Sequence, residues 1–178
     1  AEIVLVDKAA DYGAHQSSHN SGVIHAGVYY EPGSLKARLC RAGLQQTIAF
    51  CTEHRLEFEQ CGKLLVATDE TELARMEGLA RRCTANQIAF DVLSAEQLHR
   101  REPAIRGVGA LFVPSTGITD YRAITRQMGG CFTASGGRVH FSREVNSMTE
   151  ISGGVRVQMG PESIEAGFVV ACGGLQAD

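Results

Sequence analysis

Short apolar runs alternate with segments of helical periodicity along the chain. Residues 2–7, Glu-Ile-Val-Leu-Val-Asp, form a β-branched run that predicts a strand buried on both faces, as strands of parallel sheets are. Residues 35–55 carry apolar side chains at helical spacing behind Ser34, a residue type that caps helix N-termini. This second pattern predicts a long helix.

The same patterns predict further elements. Helices are predicted at residues 69–86, 94–102 and 121–135. Strands are predicted at residues 57–59, 63–68, 109–113, 138–142, 145–151, 155–159 and 168–172. Residues 114–119 are expected to form a loop, and residues 152–154 a hairpin turn. Within residues 69–86 the acids come early and the bases late, which matches the helix dipole and indicates a solvated face.

Glycines and one acidic residue suggest a nucleotide-binding fold. Asp7 closes the first strand, and in a dinucleotide-binding unit such an acid follows a Gly-x-Gly-x-x-Gly loop by about 20 residues. No glycine cluster in the chain completes that motif between a strand and a helix. We therefore expect the chain to be truncated at its start. Residues 168–172 lead into Gly173 and Gly174, where a ligand could approach the N-terminus of a helix beginning near residue 175, so the C-terminus is also expected to be cut.

Composition and charge limit the classes of function. With 178 residues and 44% hydrophobic content, the chain can bury the core of one large domain or two small ones. The net charge of -3 and the scattered Lys and Arg residues argue against a nucleic-acid partner. No apolar run reaches the roughly 20 residues that span a bilayer, and no signal peptide is evident. We expect a cytoplasmic protein, or one peripheral on the inner face of a membrane, and the sequence indicates no oligomeric state.

The cysteines are expected to be reduced and buried. All six are far apart, without a Cys-x-x-Cys pair or a His partner at zinc-finger spacing, so no metal site is expected. They are Cys40, Cys51, Cys61, Cys83, Cys131 and Cys172. A free thiol in a helix or at the end of an apolar strand behaves as a small hydrophobe.

Residues 17–30 concentrate the polar residue types that catalysis needs. Two histidines, an asparagine, three serines and two glycines lie within this stretch, between the first strand and the long helix. Two interpretations are open. Ser and Asn side chains often cap the backbone of an ordinary surface loop. The alternative is the wall of a ligand site, and this stretch then supplies its chemistry.

Separated stretches along the chain have the residue order of one enzyme family. They are residues 4–8, 19–30, 32–36, 61–67, 101–103, 112–115, 117, 121–122 and 171–178. Through them the chain resembles the FAD-dependent oxidoreductases of the D-amino-acid oxidase type, and within these the members that oxidise L-2-hydroxyglutarate. The most specific stretch is residues 19–30, His-Asn-Ser-Gly-Val-Ile-His-Ala-Gly-Val-Tyr-Tyr. The resemblance covers the whole chain, which corresponds to less than half of a complete member.

This resemblance implies a fold and a domain layout. The fold is an α/β one, with an incomplete, FAD-binding, Rossmann-like parallel sheet and an inserted α+β substrate domain. Residues 1–60 and 118–178 are expected to belong to the FAD-binding domain, and residues 61–117 to the substrate domain.

The resemblance also implies which residues bind FAD. The positions are Asp7, Lys8, Ser18, His19, Asn20, Ser21, Gly22, Val145, Ala171, Cys172, Gly173 and Gly174. The Asp7 carboxylate is expected to accept hydrogen bonds from the ribose hydroxyls, although an acid here can also cap a loop. Residues 18–22 match the loop beside the pyrophosphate and the flavin ring. The backbone of Val145 is expected to meet the adenine, and residues 171–174 to form a second glycine-rich approach to FAD.

His25 is the predicted catalytic residue. Oxidation of a secondary alcohol removes a hydride from carbon and a proton from oxygen, so a base must lie beside the hydroxyl. In the family pattern His25 is on the flavin side of the loop, whereas His19 is expected to contact the cofactor or solvent. The alternative for His25 is a hydrogen-bonded core histidine.

The implied reaction is the FAD-dependent oxidation of L-2-hydroxyglutarate to 2-oxoglutarate, with a quinone or oxygen as the electron acceptor. A substrate with two carboxylates needs cationic or hydroxyl partners. The candidates are Tyr29, Tyr30, Lys63, Arg101 and Arg122.

Three alternatives remain open at this point. In glycerol-3-phosphate dehydrogenases the corresponding loop reads Ile-His-Gly-Gly-x-Arg-Tyr, and here Tyr29 replaces the arginine that would meet a phosphate. Amine oxidases of the glycine or sarcosine type generally lack the run found at residues 20–27. Finally, the chain alone could be a catalytically inactive binding fragment, since it lacks the phosphate-binding glycine loop.

Overall fold

The fold is known from a computed structural model, which describes residues 2–174. The chain divides into two compact units: Asn20–Ile124, here called the central unit, and Ala1–His19 with Thr125–Asp178, here called the terminal unit. The expected start of a helix beyond residue 174 lies outside the described residues. Because compact units are defined by contacts and not by function, the domain boundaries at residues 60 and 117 stay a prediction.

The helices begin at capping residues. They are α1 (Leu35–His54), α2 (Glu70–Ala85), α3 (Ala95–Arg101) and α4 (Tyr121–Ala134). Ser34 Oγ accepts the backbone N–H of Ala37 at 3.2 Å and opens α1. Asp69 caps α2 in the same way, and Ser94 with Gln97 forms a capping box on α3. The helices predicted from periodicity and caps are therefore confirmed to within about two residues. No helix among residues 2–174 combines the length and apolarity that a membrane crossing requires.

The central unit contains two small antiparallel sheets. Its strands are β2 (Val23–Ile24), β3 (Phe58–Glu59), β4 (Lys63–Ala67), β5 (Asp91–Ser94), β6 (Gly109–Val113) and β7 (Gly117–Thr119). One sheet has the order β2-β7-β3 and the other the order β4-β6-β5. In the first, Ile24 pairs with Gly117, and in the second Lys63 pairs with Val113. His25 and Lys63 carry the predicted chemistry: His25 directly follows β2, and Lys63 is the first residue of β4.

The core of the central unit joins these sheets to α2. Ala26 and Val28 pack with Cys83 of α2 and Val113 of β6, and all four side chains are buried. Full burial of a side chain as large as Val contributes roughly 1.5–3 kcal/mol to the stability of the fold. The segment after β2 is consequently fixed by the core, which places the neighbouring His25 on a rigid support.

The terminal unit contains the parallel pair expected of the first strand. β1 (Val4–Val6) pairs in parallel with β8 (Arg138–His140), and three further strands form an antiparallel meander. Those strands are β9 (Ser147–Ile151), β10 (Gly154–Met159) and β11 (Glu162–Ala166). Tyr12 packs edge-on against Phe141, with 4.8 Å between the ring centroids. The parallel pair is the local signature of the α/β fold expected from the sequence.

Several expected elements are wrong. Residues 114–119 are not simply a loop, because their last three residues form β7. Residues 168–172 form no strand, and the ring of Phe168 is 82% exposed. The strands β2, β5 and β11 were not predicted. β2 and β7 have only two and three residues, too few for a period-2 pattern, and their pairing across the fold defines them.

The cysteines are only partly where the sequence predicts them. All six are free. Cys51 and Cys83 are buried, as expected of small apolar side chains. Cys61 and Cys172 are exposed instead, because Cys61 lies in the irregular segment between β3 and β4 and Cys172 does not end a buried strand.

A carboxylate at the start of α2 gives the fold a pH dependence. Glu72 Oε2 accepts the backbone N–H of Thr68 at 2.8 Å and the Thr68 hydroxyl at 2.7 Å. These two bonds, the backbone one first, hold the pKa of Glu72 below its ordinary value. A depressed pKa in the folded state stabilises the protein above the unfolded pKa, and the stabilisation is lost as the pH falls through the folded pKa.

We therefore expect Glu72→Gln to lower the thermal midpoint near neutral pH, and the difference from the unchanged protein to shrink below a pH of about 4. The measurement is thermal unfolding across this pH range. Glu77→Gln is the control, since Glu77 makes only an exposed pair with Arg81 at 3.8 Å. A Glu72→Gln difference that stays constant through the acid range would contradict the assignment.

Candidate functional site

His25 borders a small pocket in the central unit. The residue follows β2, and the pocket wall also includes Tyr29, Tyr30, Lys63 and Thr116. The free volume is about 20 Å³, which is enough for one water-sized group. The structure thus places the predicted base and three of the five predicted substrate residues around one pocket.

The backbone of this loop is fastened to α1. The Cys40 thiol donates to the His25 carbonyl oxygen at 3.2 Å. Burial raises the pKa of the Cys40 thiol, so the group remains protonated and keeps its donor at neutral pH. Gly27 has a φ of +87°, and a Cβ there would lie 3.3 Å from the Cys40 sulfur. The left-handed conformation and this close approach together require glycine at residue 27.

The last turn of α2 holds the next part of the loop. Arg82 Nη1 donates to the carbonyl oxygen of Tyr29 at 3.2 Å, and Asn86 Nδ2 donates to that of Tyr30 at 2.9 Å. Arg82 also forms an ion pair with Glu31 at 3.7 Å. With its backbone bound on both sides, the loop presents its tyrosine side chains at fixed places.

Lys63 and Tyr29 connect the pocket to a larger groove. The Lys63 ammonium lies over the Tyr29 ring, 5.0 Å from the centroid, as in a cation–π pair. Both residues also line a groove of about 410 Å³ that β4 and α2 enclose. Arg75 and Glu72 lie on its α2 side. A substrate-sized molecule could occupy this groove with its anionic end at Lys63.

Thr116 was not anticipated from the sequence. Its side chain is only 4% exposed, and its hydroxyl has no hydrogen-bond partner among the described residues. Thr116 directly precedes Gly117, which pairs with Ile24, and both Thr116 and His25 line the pocket. No motif in the sequence marks this threonine, since the pairing of β2 with β7 could not be read from their short lengths.

Two predicted substrate residues do not line the pocket. The Arg101 guanidinium stacks on the Phe112 ring, 3.6 Å from its centroid. The backbone N–H of Arg122 donates to Asp120 Oδ1 at 2.8 Å at the start of α4. Neither residue borders the pocket or the groove in the part of the chain that the structure describes.

Some predicted FAD-binding residues lie in the terminal unit. Asp7 is exposed at the carboxyl end of β1, and its Oδ1 accepts the Ala9 N–H at 2.8 Å. This bond leaves Oδ2 available to a hydroxyl donor. The structure places the other members of the set at the surface or half-buried in this unit: Lys8, Ser18, His19, Val145, Ala171, Cys172, Gly173 and Gly174.

Their backbones and side chains differ in availability. Ser18 Oγ and His19 Nδ1 both bond the carbonyl oxygen of His15, at 3.2 and 2.7 Å. Val145 precedes β9, and its backbone makes no hydrogen bond seen within residues 2–174. Gly174 has a φ of +60°, and a Cβ there would meet no atom within 4 Å. Open backbone of this kind suits contact with a flat ligand.

The remaining cofactor candidates are in the central unit. Asn20 Oδ1 accepts the Gly22 N–H at 2.8 Å and so forms an Asx turn. Gly22 has a φ of +67°, and a Cβ there would lie 2.9 Å from the carbonyl oxygen of Thr119. Glycine at residue 22 is thus required by the strand pairing itself. Ser21, between them, is exposed.

No metal centre is found within residues 2–174, because no three His, Cys, Asp or Glu side chains are grouped to hold an ion. The pocket therefore offers an imidazole, a hydroxyl, two phenols and an ammonium as its chemical groups.

Comparison with known proteins identifies the family. The chain matches the family described as FAD dependent oxidoreductase over residues 1–178. The chain belongs to this family. This match confirms the expected family, enzyme class and FAD cofactor at the level of the FAD dependent oxidoreductases. The chain has the α/β, Rossmann-like fold that its solved relatives share.

Curated relatives cover the whole chain. It is 48% identical over 180 residues to L-2-hydroxyglutarate dehydrogenase of Escherichia coli O17:K52:H18. The alignment covers 100% of this chain and 42% of that protein. It is 35% identical over 183 residues to the mitochondrial L-2-hydroxyglutarate dehydrogenase of Caenorhabditis elegans, covering 99% of the chain and 42% of that protein. The chain thus spans less than half the length of these relatives.

Solved structures share the fold at low identity. Glycine oxidase from Geobacillus kaustophilus superposes with a TM-score of 0.84 at 17% identity, covering 93% of this chain and 47% of that one. L-alpha-glycerophosphate oxidase from Mycoplasma pneumoniae, with FAD bound, gives a TM-score of 0.81 at 24% identity, covering 89% and 43%. Since these enzymes act on chemically different substrates by name, the likeness concerns the fold alone.

The described residues fit an FAD. Asp7 presents an exposed carboxylate at the carboxyl end of a parallel strand, the place where such folds meet a ribose. Val145 and Gly174 leave backbone open in the same unit. In the central unit, His25 stands beside a pocket whose buried Thr116 hydroxyl has no partner within the described chain.

Proposed function

We propose that the protein containing this chain oxidises L-2-hydroxyglutarate to 2-oxoglutarate. The observation that carries the proposal is the 48% identity to an L-2-hydroxyglutarate dehydrogenase across the whole chain. The pocket around His25 supports it, because the residues there match the needs of a 2-hydroxy dicarboxylate: a base for the hydroxyl and a cation for a carboxylate.

His25 takes the proton of the substrate hydroxyl in this proposal. A bound FAD would supply the acceptor for the hydride that leaves the carbon carrying the hydroxyl. The O–H bond breaks, and its proton goes to the imidazole. The C–H bond also breaks, and its hydrogen leaves with the electron pair as hydride. A carbon–oxygen double bond forms. Cys40 and the core residues beside His25 keep the imidazole support in place during proton transfer.

Lys63, Tyr29 and Tyr30 are proposed to hold the substrate carboxylates. Lys63 supplies the positive charge. Its position over the Tyr29 ring already restricts the rotamers of the lysine side chain, so less side-chain entropy is lost when the substrate binds. Tyr29 occupies the place where a phosphate-binding arginine stands in glycerol-3-phosphate enzymes, which favours a hydroxy acid over a phosphate ester. Arg101 and Arg122 are left as weaker candidates because neither borders the pocket.

The twelve FAD-binding positions keep the roles that family membership suggests. We propose that Asp7 accepts from the ribose hydroxyls through Oδ2, and that Val145 meets the adenine with its backbone. The loop at residues 18–22 and the segment at residues 171–174 then contact the pyrophosphate and flavin portions. Re-oxidation of the flavin is proposed to use a quinone at the membrane surface or oxygen, and oxygen consumption during turnover separates the two.

The test is reduction of the enzyme-bound flavin under anaerobic conditions. L-2-hydroxyglutarate should bleach the flavin, whereas glycerol 3-phosphate and glycine should leave it oxidised. Bleaching by glycerol 3-phosphate or glycine alone would assign the protein to another substrate class. A protein that takes up no FAD would contradict the proposal altogether.

Lys63→Met should weaken binding of the dicarboxylate product 2-oxoglutarate by about 10- to 100-fold, because hydrogen bonds to charged groups contribute roughly 1.5–3 kcal/mol. The dissociation constant is measured by calorimetry on the FAD-loaded enzyme. Arg101→Met is the matched control, since that cation stacks on Phe112 away from the pocket. Equal effects of the two substitutions would remove Lys63 from the site.

A further inference from the structure

The hydroxyl of Thr116 is the unexplained polar group of the central unit. It is shielded from solvent and has no hydrogen-bond partner among residues 2–174. An unpartnered buried hydroxyl costs about 1–3 kcal/mol, so such groups are rare in native proteins and often meet a ligand or a water. The backbone of the same residue, by contrast, is fully bonded.

Both backbone groups of Thr116 fix its position. Its N–H donates to the Val113 carbonyl oxygen at 3.4 Å, and its carbonyl oxygen accepts the Gly62 N–H at 2.9 Å. Thr is β-branched, which restricts the side chain to few rotamers. The hydroxyl is therefore held in place without having a partner of its own.

Thr116 and the predicted base border the same pocket. Ile24 of β2 pairs with Gly117 of β7, so His25 and Thr116 each adjoin the last pair of this ladder. Both residues also line the pocket of about 20 Å³, which admits one water-sized group. An oxygen atom in this space would thus border both residues.

We propose that Thr116 binds the reacting oxygen of the substrate, donating its O–H to the 2-hydroxyl oxygen and then to the 2-oxo oxygen of the product. This assignment rests on the proposed function. An alcohol oxygen can give its proton to a base and accept a bond from a second donor at once, and Thr supplies that donor. The ketone oxygen formed in the reaction accepts only, so it keeps the bond to Thr116 after His25 has taken the proton.

The test compares two ligands that differ only at this oxygen. 2-Oxoglutarate carries the 2-oxo group and glutarate lacks it. In the FAD-loaded holoenzyme, calorimetry should show that Thr116→Val weakens the binding of 2-oxoglutarate by about tenfold. This is the effect of leaving a buried acceptor without its donor. Glutarate should bind unchanged. Thr116→Ser keeps the hydroxyl and should bind both ligands as the unchanged protein does.

Stability separates a ligand contact from a structural role. Thr116→Val replaces an unpartnered hydroxyl by a methyl group of similar shape, so the free energy of unfolding without ligand should be unchanged or higher. A destabilised Thr116→Val protein would show that the hydroxyl serves the fold, and would overturn the assignment.

The binding outcomes decide the rest. Equal weakening of both ligands would mean that Thr116 shapes the pocket without contacting the oxygen. Tight binding of 2-oxoglutarate by the unchanged enzyme, with no effect of Thr116→Val, rejects the role of Thr116 and leaves the proposed function intact. If the unchanged holoenzyme binds neither ligand, the proposed substrate is wrong, and this assignment with it.

Discussion

His25→Ala should slow reduction of the bound flavin by L-2-hydroxyglutarate about 100-fold or more, the contribution typical of a general base. The substitution removes the imidazole that accepts the proton of the substrate hydroxyl in our proposal. FAD should remain bound, because the backbone of the loop is held by Cys40 and by the core around Ala26. Single-turnover absorbance of the flavin measures the rate.

His19→Ala is the control for this experiment. The ring of His19 is exposed and its Nδ1 bonds the carbonyl oxygen of His15, within its own loop. Its loss should alter FAD affinity at most and leave the rate of reduction at saturating FAD unchanged. If His25→Ala reduces its flavin at the normal rate, His25 has no part in the proton transfer.

Gly117→Ala should destabilise the protein by about 3 kcal/mol, at the upper end of the usual cost of overpacking. A Cβ at this position would lie 2.6 Å from the carbonyl oxygen of Glu59 and 3.4 Å from the Cα of Gln60. Both are backbone atoms, which cannot rotate away as a side chain can. The collision falls within the sheet β2-β7-β3, so it should also disturb the pairing of Gly117 with Ile24, which adjoins both His25 and Thr116.

Gly43→Ala offers the matched control in α1. A Cβ there would meet nothing within 4 Å, and alanine is favoured over glycine in a helix by about 1 kcal/mol. The same chemical change should therefore stabilise the protein at one position and destabilise it at the other. Denaturant unfolding gives both free energies. Equal stability of the two variants would contradict the close approach of β7 to the backbone of β3.

Helices were predictable from the sequence because their signals are local. α1 and α2 have a serine or aspartate cap and several turns of apolar periodicity, and both were predicted within about two residues. β2 and β7 have no such signal, since a strand of two or three residues is defined by a partner far away in sequence. Long-range pairing was the missing information.

The site shows the same division. His25, Tyr29 and Tyr30 were predicted because they fall in one compact stretch that resembles the family. Lys63 was predicted from a second such stretch, residues 61–67. Thr116 was missed because its relation to His25 depends on the register of β2 against β7. The stacking of Arg101 on Phe112 could not be predicted either, since a cation and a ring eleven residues apart give no sequence pattern.

A single turnover with L-2-hydroxyglutarate tests the proposed reaction directly. The FAD-loaded holoenzyme is mixed with this substrate without oxygen, and both the reduced flavin and the organic product are quantified. We expect one 2-oxoglutarate to form for each flavin reduced. Flavin that stays oxidised, or that is reduced without stoichiometric 2-oxoglutarate, would contradict it.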